Sequence, residues 1–92
     1  MIVIAGTVPV RPDRRAEAVR VAVAMAEATR AEPGCVTYRF AADLVFEEWE
    51  DEAALARHFA TAHMAAFRRA LPELVAGPSA IRRYVVERAA AM

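Results

Sequence analysis

One cysteine is all this chain carries, and Cys35 alone excludes an internal disulfide framework. One thiol and two histidines also argue against a four-ligand structural zinc site, so no metal and no cofactor is expected. Neither sign of charge is in excess: twelve basic residues balance twelve acidic ones. That balance removes the electrostatic footprint of a nucleic-acid partner or an anionic membrane. No apolar run reaches about 18 residues, so no membrane span is expected. The start, "MIVIAGTVPV", lacks the charged region of a signal peptide and runs straight into a strand pattern. A reduced, cytoplasmic setting fits the lone thiol.

What is present points to one small globular domain over residues 1–92. The apolar fraction is 58% against 26% charged, which is too apolar for a disordered chain. A core of this size is marginal alone, since such a chain buries only roughly 60–65% of its unfolded surface. Without disulfides or metals, oligomerisation is the usual remedy.

"IVIAGTVPV" (2–10) is β-branched and reads as a strand, with Pro9 suited to its end or an edge. Asp13 is placed to cap a helix from about Arg14 to Ala31. Ala16, Val19, Val23 and Ala26 follow helical spacing, widened by Ala22 and Met25. "EPGC" ends that helix at Pro33 and Gly34. "CVTYRF" (35–40) and "VFEEWE" (45–50) read as strands. Asp51 caps "EAALARHF", and Thr61 caps "AHMAAFRRAL" before Pro72. "AIRRYVVE" (80–87) is the last strand. The order β-α-β-β-α-β predicts an α+β, ferredoxin-like fold: an antiparallel four-stranded sheet with its helices on one face. Strands 1 and 4 are apolar on many successive residues, so a second subunit's sheet is expected to cover the other face. The link "FAADLVF" has no glycine for a tight turn, and only Asp43 tolerates positive φ well. Either the turn is strained or wider, or residues are missing between Phe40 and Phe46.

Three stretches together resemble the antibiotic biosynthesis monooxygenase (ABM) family. They are "RPDRRAEAVRVAVAMAEATRAEPGCVTYRF", "FEEWEDEAALARHFATAHMAAF" and "IRRYVVE", in that order over nearly the whole chain. The resemblance implies a dimeric α+β barrel with a pocket between sheet and helices. It implies activities that range from cofactor-free oxidation of quinols or phenols, through haem degradation and isomerisation, to none known. The haem-degrading branch carries an asparagine on the first strand, and this chain has no asparagine at all. Haem is therefore not expected. Family members also carry a longer link between strands 2 and 3 than "AADL".

Oxygenation without a cofactor makes the substrate supply the electrons. A phenol or quinol must first lose a proton, so a pocket needs a base, apolar walls and a donor to the developing peroxide. His63 is the candidate base, in the first turn of its helix, where a neutral ring is favoured. Trp49 is the candidate wall, with Glu47 on the same strand face. Phe59 and Phe67 stand one i, i+4 step either side of His63 and are expected to line the pocket with it. Glu47 would orient His63 or pair with Arg82 or Arg83. Tyr38 and Tyr84 are weaker candidate donors, and Arg83 a candidate substrate contact. For each of these, plain packing competes with the functional reading. Phe67 and Phe59 are by default core, Trp49 a core anchor, Tyr38 a core cover, Glu47 an edge charge. Beside Arg57, His58 is expected to be solvated, and Cys35 to be buried and inert.

The expected function is a homodimeric, cofactor-independent monooxygenase acting on a quinol-like or phenolic aromatic and O2. One alternative is a binding or detoxification protein of the same fold without turnover. Another is an isomerase of a small polar metabolite, which would need paired cations from Arg39, Arg82 and Arg83 facing the pocket. An RNA-recognition module shares the strand order, but charge balance and the lack of a clustered aromatic strand pair oppose it.

Overall fold

Alternation along strand 3 decides which way the sheet faces. Val45, Glu47 and Trp49 are buried, while Phe46 lies exposed between them. The computed structural model describes residues 1–92. Strands β1 (Ile2–Thr7), β2 (Cys35–Ala41), β3 (Leu44–Trp49) and β4 (Ala80–Val85) form one antiparallel sheet of order β2-β3-β1-β4. Helices α1 (Arg15–Arg30), α2 (Glu52–Phe59) and α3 (Ala62–Leu74) connect them. This is the expected ferredoxin-like α+β plan.

Cross-strand register sorts the sheet into two faces. One inner row runs Tyr38, Glu47, Ile4, Arg83, and another runs Phe40, Val45, Gly6, Ile81. The core gathers on this side: Ile2, Ile4, Tyr38 and Trp49 pack with Met25, Ala26, Ala54 and Leu55 of the helices. The outer rows hold Thr37, Glu48, Val3 and Tyr84, then Arg39, Phe46, Ala5 and Arg82. A Cβ on Gly6 would lie 2.1 Å from the Ala80 carbonyl oxygen, so only glycine lets β4 approach β1 there.

Both helix starts after β3 are capped by the expected side chains. The Asp51 carboxylate accepts from Ala54 N–H at 2.8 Å, and Thr61 Oγ1 accepts from Met64 N–H at 3.2 Å. Asp13 does not cap α1. Arg11 takes its carboxylate at 3.1 and 2.7 Å, and a 3-10 turn over Pro12–Arg14 leads into the helix instead. β1 stops at Thr7, and Val10 bridges Val75. Nor does α3 stop at Pro72. The helix runs to Leu74, where Val75 N–H still reaches the Leu71 carbonyl at 3.1 Å. Proline so near the end removes one bond from a turn that is already closing.

The link between β2 and β3 closes as a two-residue turn, with Ala41 opposite Leu44. Ala42 takes the positive φ, at 53°, and Asp43 does not. Asp43 is committed elsewhere: its carbonyl accepts from Val8 N–H at 2.7 Å and its Oδ1 from Val10 N–H at 3.4 Å.

The inward face of α1 is rotated from the expected stripe. Met25, Ala26 and Thr29 are buried, whereas Val19 and Val23 remain 55% and 51% exposed. Those two valines line the opening of a cavity.

Candidate functional site

The cavity lies where α1, α3 and the β2–β3 hairpin diverge. Its volume is about 260 Å³, and 14 of its 18 lining residues are hydrophobic. Val8 and Val10 come from the segment after β1, and Ala18, Val19 and Ala22 from α1. Phe40 and Phe67 stack across it with centroids 5.8 Å apart. Arg15, Glu27, Arg30 and Asp43 supply its charged groups, and Arg15 lies 3.6 Å from the Asp43 carboxylate.

Of the residues singled out from sequence, only Phe67 lines this cavity. Trp49 is fully buried, and its indole N–H donates to Glu47 Oε1 at 2.9 Å. Glu47 thus serves Trp49, not His63 or an arginine. Burial pushes the Glu47 carboxyl above its usual range, against the Trp49 hydrogen bond, with the Glu32 charge adding to the rise. Tyr38 is buried against Phe40, Trp49 and His58, and burial first, then Glu47 and Glu32, push its phenol up. Phe59 is 36% exposed, with the Arg68 guanidinium 5.5 Å over its ring. Arg83 pairs with Glu52 at 3.0 Å, away from the cavity. Arg39 and Arg82 share an outer row of the sheet. The paired strand cations that an isomerase of a polar metabolite would need therefore do not face the cavity. Burial raises the Cys35 thiol, as do the Glu32 and Glu47 charges, which keeps it unreactive.

The two histidines exchange their expected places. His58, expected to be wet, is 1% exposed, and its ring packs on Trp49 at 4.7 Å. His63 keeps 28% of its side chain exposed. Both rings meet one residue that sequence reasoning passed over as a helix-ending loop: Glu32. His58 Nδ1 and His63 Nε2 each lie 2.7 Å from Glu32 Oε2. A carboxylate only accepts, so both rings donate, and a neutral His63 ring bound this way carries its lone pair on Nδ1. Desolvation lowers the proton affinity of His58, outweighing the Glu32 bond. His58 is thus held as a neutral ring, with Nε2 buried and unpartnered. His63 also borders a shallow groove between α1 and α3, and Val21 and Phe67 belong to both groove and cavity.

No local signal marked Glu32, which is 26 and 31 residues away from its two histidines. Gly34 shapes its loop: φ is 84°, and a Cβ there would sit 2.5 Å from the Ala54 Cβ. That close approach sets the loop after α1 against α2.

A small α+β sheet protein with an apolar cavity and an adjoining imidazole–carboxylate cluster defines the class. Residues 1–70 match the antibiotic biosynthesis monooxygenase family, and the chain belongs to it. An uncharacterised protein of the cyanobacterium Synechocystis is 37% identical over 92% of this chain, which spans 63% of that protein. Among solved structures, the Rv0793 protein of Mycobacterium tuberculosis is 31% identical with a TM-score of 0.82, covering 98% of this chain and 97% of its own. A protein of Deinococcus radiodurans, provisionally described as an antibiotic biosynthesis monooxygenase, is 26% identical with a TM-score of 0.89, covering 100% and 98%. No helix here is long and apolar enough to cross a membrane.

Proposed function

We propose that this chain is a cofactor-independent monooxygenase that binds a flat, quinol-like or phenolic aromatic in the apolar cavity and oxidises it with O2. The observation that carries the reading is the cavity itself, whose 14 hydrophobic lining residues suit a ring and whose charged groups suit its oxygens. His63 is the base. Its Nδ1 lone pair takes the substrate proton, and Glu32 at Nε2 orients the ring and stabilises the imidazolium that forms. The substrate anion then gives electrons to O2, and the pair combine as a peroxide. For an anthrone, loss of water from that peroxide gives the quinone: one oxygen enters the product and one leaves as water. The substrate loses four electrons and O2 gains four. Phe67 and Val21 line both the cavity and the groove that His63 borders, and the reading requires the Phe67 ring to turn aside so that base and substrate meet. We place the activity in a cytoplasmic homodimer, where the lone thiol stays reduced.

A second reading, binding without turnover, is favoured by one observation: no imidazole lines the cavity. Oxygen uptake against a panel of dihydroquinones and anthrones, with chelator present and flavin absent, separates the two. Saturable uptake that falls by about 10²–10⁴-fold in His63→Ala supports the monooxygenase. Ligand binding without uptake leaves the binding protein.

A further inference from the structure

We propose that Glu32, His58 and His63 form a binding site for a divalent first-row transition ion of the zinc class. Three elements converge to make it: the loop after α1, the last turn of α2 and the first turn of α3. Each residue offers one donor, and the three donor atoms lie within 4.8 Å of one another. Two imidazoles and one carboxylate favour zinc, cobalt, nickel or copper over magnesium or calcium, which prefer oxygen alone.

The geometry is close to that of a chelate. An ion about 2.1 Å from each donor holds neighbouring donors roughly 3.0–3.4 Å apart. The two nitrogen–oxygen separations are both 2.7 Å and must open by about half an ångström, while the two ring nitrogens, within 4.8 Å of one another, are drawn together onto the ion. His58 is held by the Trp49 ring and the α2 backbone, so little order is lost on binding. His63 is the partly open side, through which an ion enters and where water completes the coordination. Binding moves the His58 proton from Nδ1 to Nε2. That nitrogen is buried and unpartnered in either tautomer, and the His63 proton shifts to Nδ1 likewise, so the ion replaces both hydrogen bonds to Glu32. A sequence count of one cysteine and two histidines misses such a site because the carboxylate that completes it comes from a loop.

The site stands whether or not the chain turns over a substrate. An ion on His63 Nε2 leaves the ring proton on Nδ1, so a loaded chain does not use that nitrogen as a base. Calorimetric titration of the tag-free, chelator-stripped protein with zinc alone tests it, with cobalt as a second probe read by visible absorption. One ion per chain is expected. His63→Ala and Glu32→Gln should each weaken binding by more than about 100-fold, beyond the loss of an outer-sphere partner. Cys35→Ser should leave binding unchanged. Circular dichroism of the metal-free variants checks their fold, and the isosteric Glu32→Gln serves if His63→Ala does not hold it. No saturable uptake by the native chain, or uptake unchanged in folded Glu32→Gln, overturns the site, as does its loss in Cys35→Ser. Oxygen uptake in chelator is measured without the ion, so failure of either idea is read separately.

Discussion

Glu47 keeps a carboxylate at 7% exposure for the sake of one indole hydrogen bond. Its carboxyl is pushed up mainly by burial. Below the unfolded-state pKa it is protonated in both states and costs nothing. As pH rises through the raised folded value, the native chain must hold a buried charge, so stability is lost with rising pH. Glu47→Gln keeps an oxygen to accept from Trp49 and removes that charge. Thermal melts should show a higher Tm than the native chain at pH 8 and no gain at pH 4. A gain of roughly 1 kcal/mol would appear as about 4–8 °C. His58 makes the opposite case. His58→Ala removes a fully buried ring from between Trp49 and Tyr38 and takes one donor from Glu32. Urea unfolding should register a loss of about 2–4 kcal/mol, the range of large-to-small core substitutions. A loss below about 1 kcal/mol would contradict the packing. The sequence invited the reverse assignment for a physical reason. Leu55 with Phe59 and Leu55 with His58 are both helical pairs, and hydrophobicity alone chooses phenylalanine. The contacts that draw His58 inward, Glu32 and Trp49, belong to other elements.

At the scale of elements, what was legible is what local chemistry decides. Asp51 and Thr61 each act on a backbone N–H three residues ahead, so their caps read directly from the chain. Alternation placed Val45, Glu47 and Trp49 on one face for the same reason. Asp13 failed because Arg11, two residues away, competes for its carboxylate. The stripe of α1 failed because a cavity leaves Val19 and Val23 uncovered, and periodicity cannot see a cavity. The β2–β3 turn was legible as a problem but not as a solution. Ala42 sits at φ 53°, where a Cβ costs about 1–2 kcal/mol. Glycine removes that cost and returns part of it as unfolded-state entropy, about 0.4–1 kcal/mol. Ala42→Gly should therefore stabilise the chain by about 0.5 kcal/mol in denaturant titration. A clear destabilisation would mean that the turn is not of this left-handed kind.

At the scale of the molecule, one face of the sheet is covered over β1, β2 and β3 and the other is not. The inner face buries Ile2, Ile4, Tyr38 and Trp49 under the helices. The outer face leaves Phe46 40%, Tyr84 47% and Leu44 57% exposed, with Val3 and Ala5 between them. Every residue of β4 is exposed as well. This is far more open apolar strand than a stable monomer of 92 residues has reason to carry. The charges on that face suit a second copy better than a membrane or nucleic acid. Arg39 and Arg82 flank Phe46 and Ala5 in one row, and Glu48 stands in the adjacent row. In a twofold pair that acid is expected to meet an arginine of the facing copy, with Phe46 and Tyr84 at the apolar centre. The paired sheets should bury at least about 1,200 Å² in total. Sedimentation and light scattering at micromolar concentration should show a dimer. Phe46→Asp places an unpaired charge at the centre of the interface and should shift the chain to monomer, with a Tm that then ceases to depend on protein concentration. A native chain that sediments as a monomer would leave the outer face unexplained and remove the twofold barrel. The cavity would survive that result, because every residue lining it comes from a single chain.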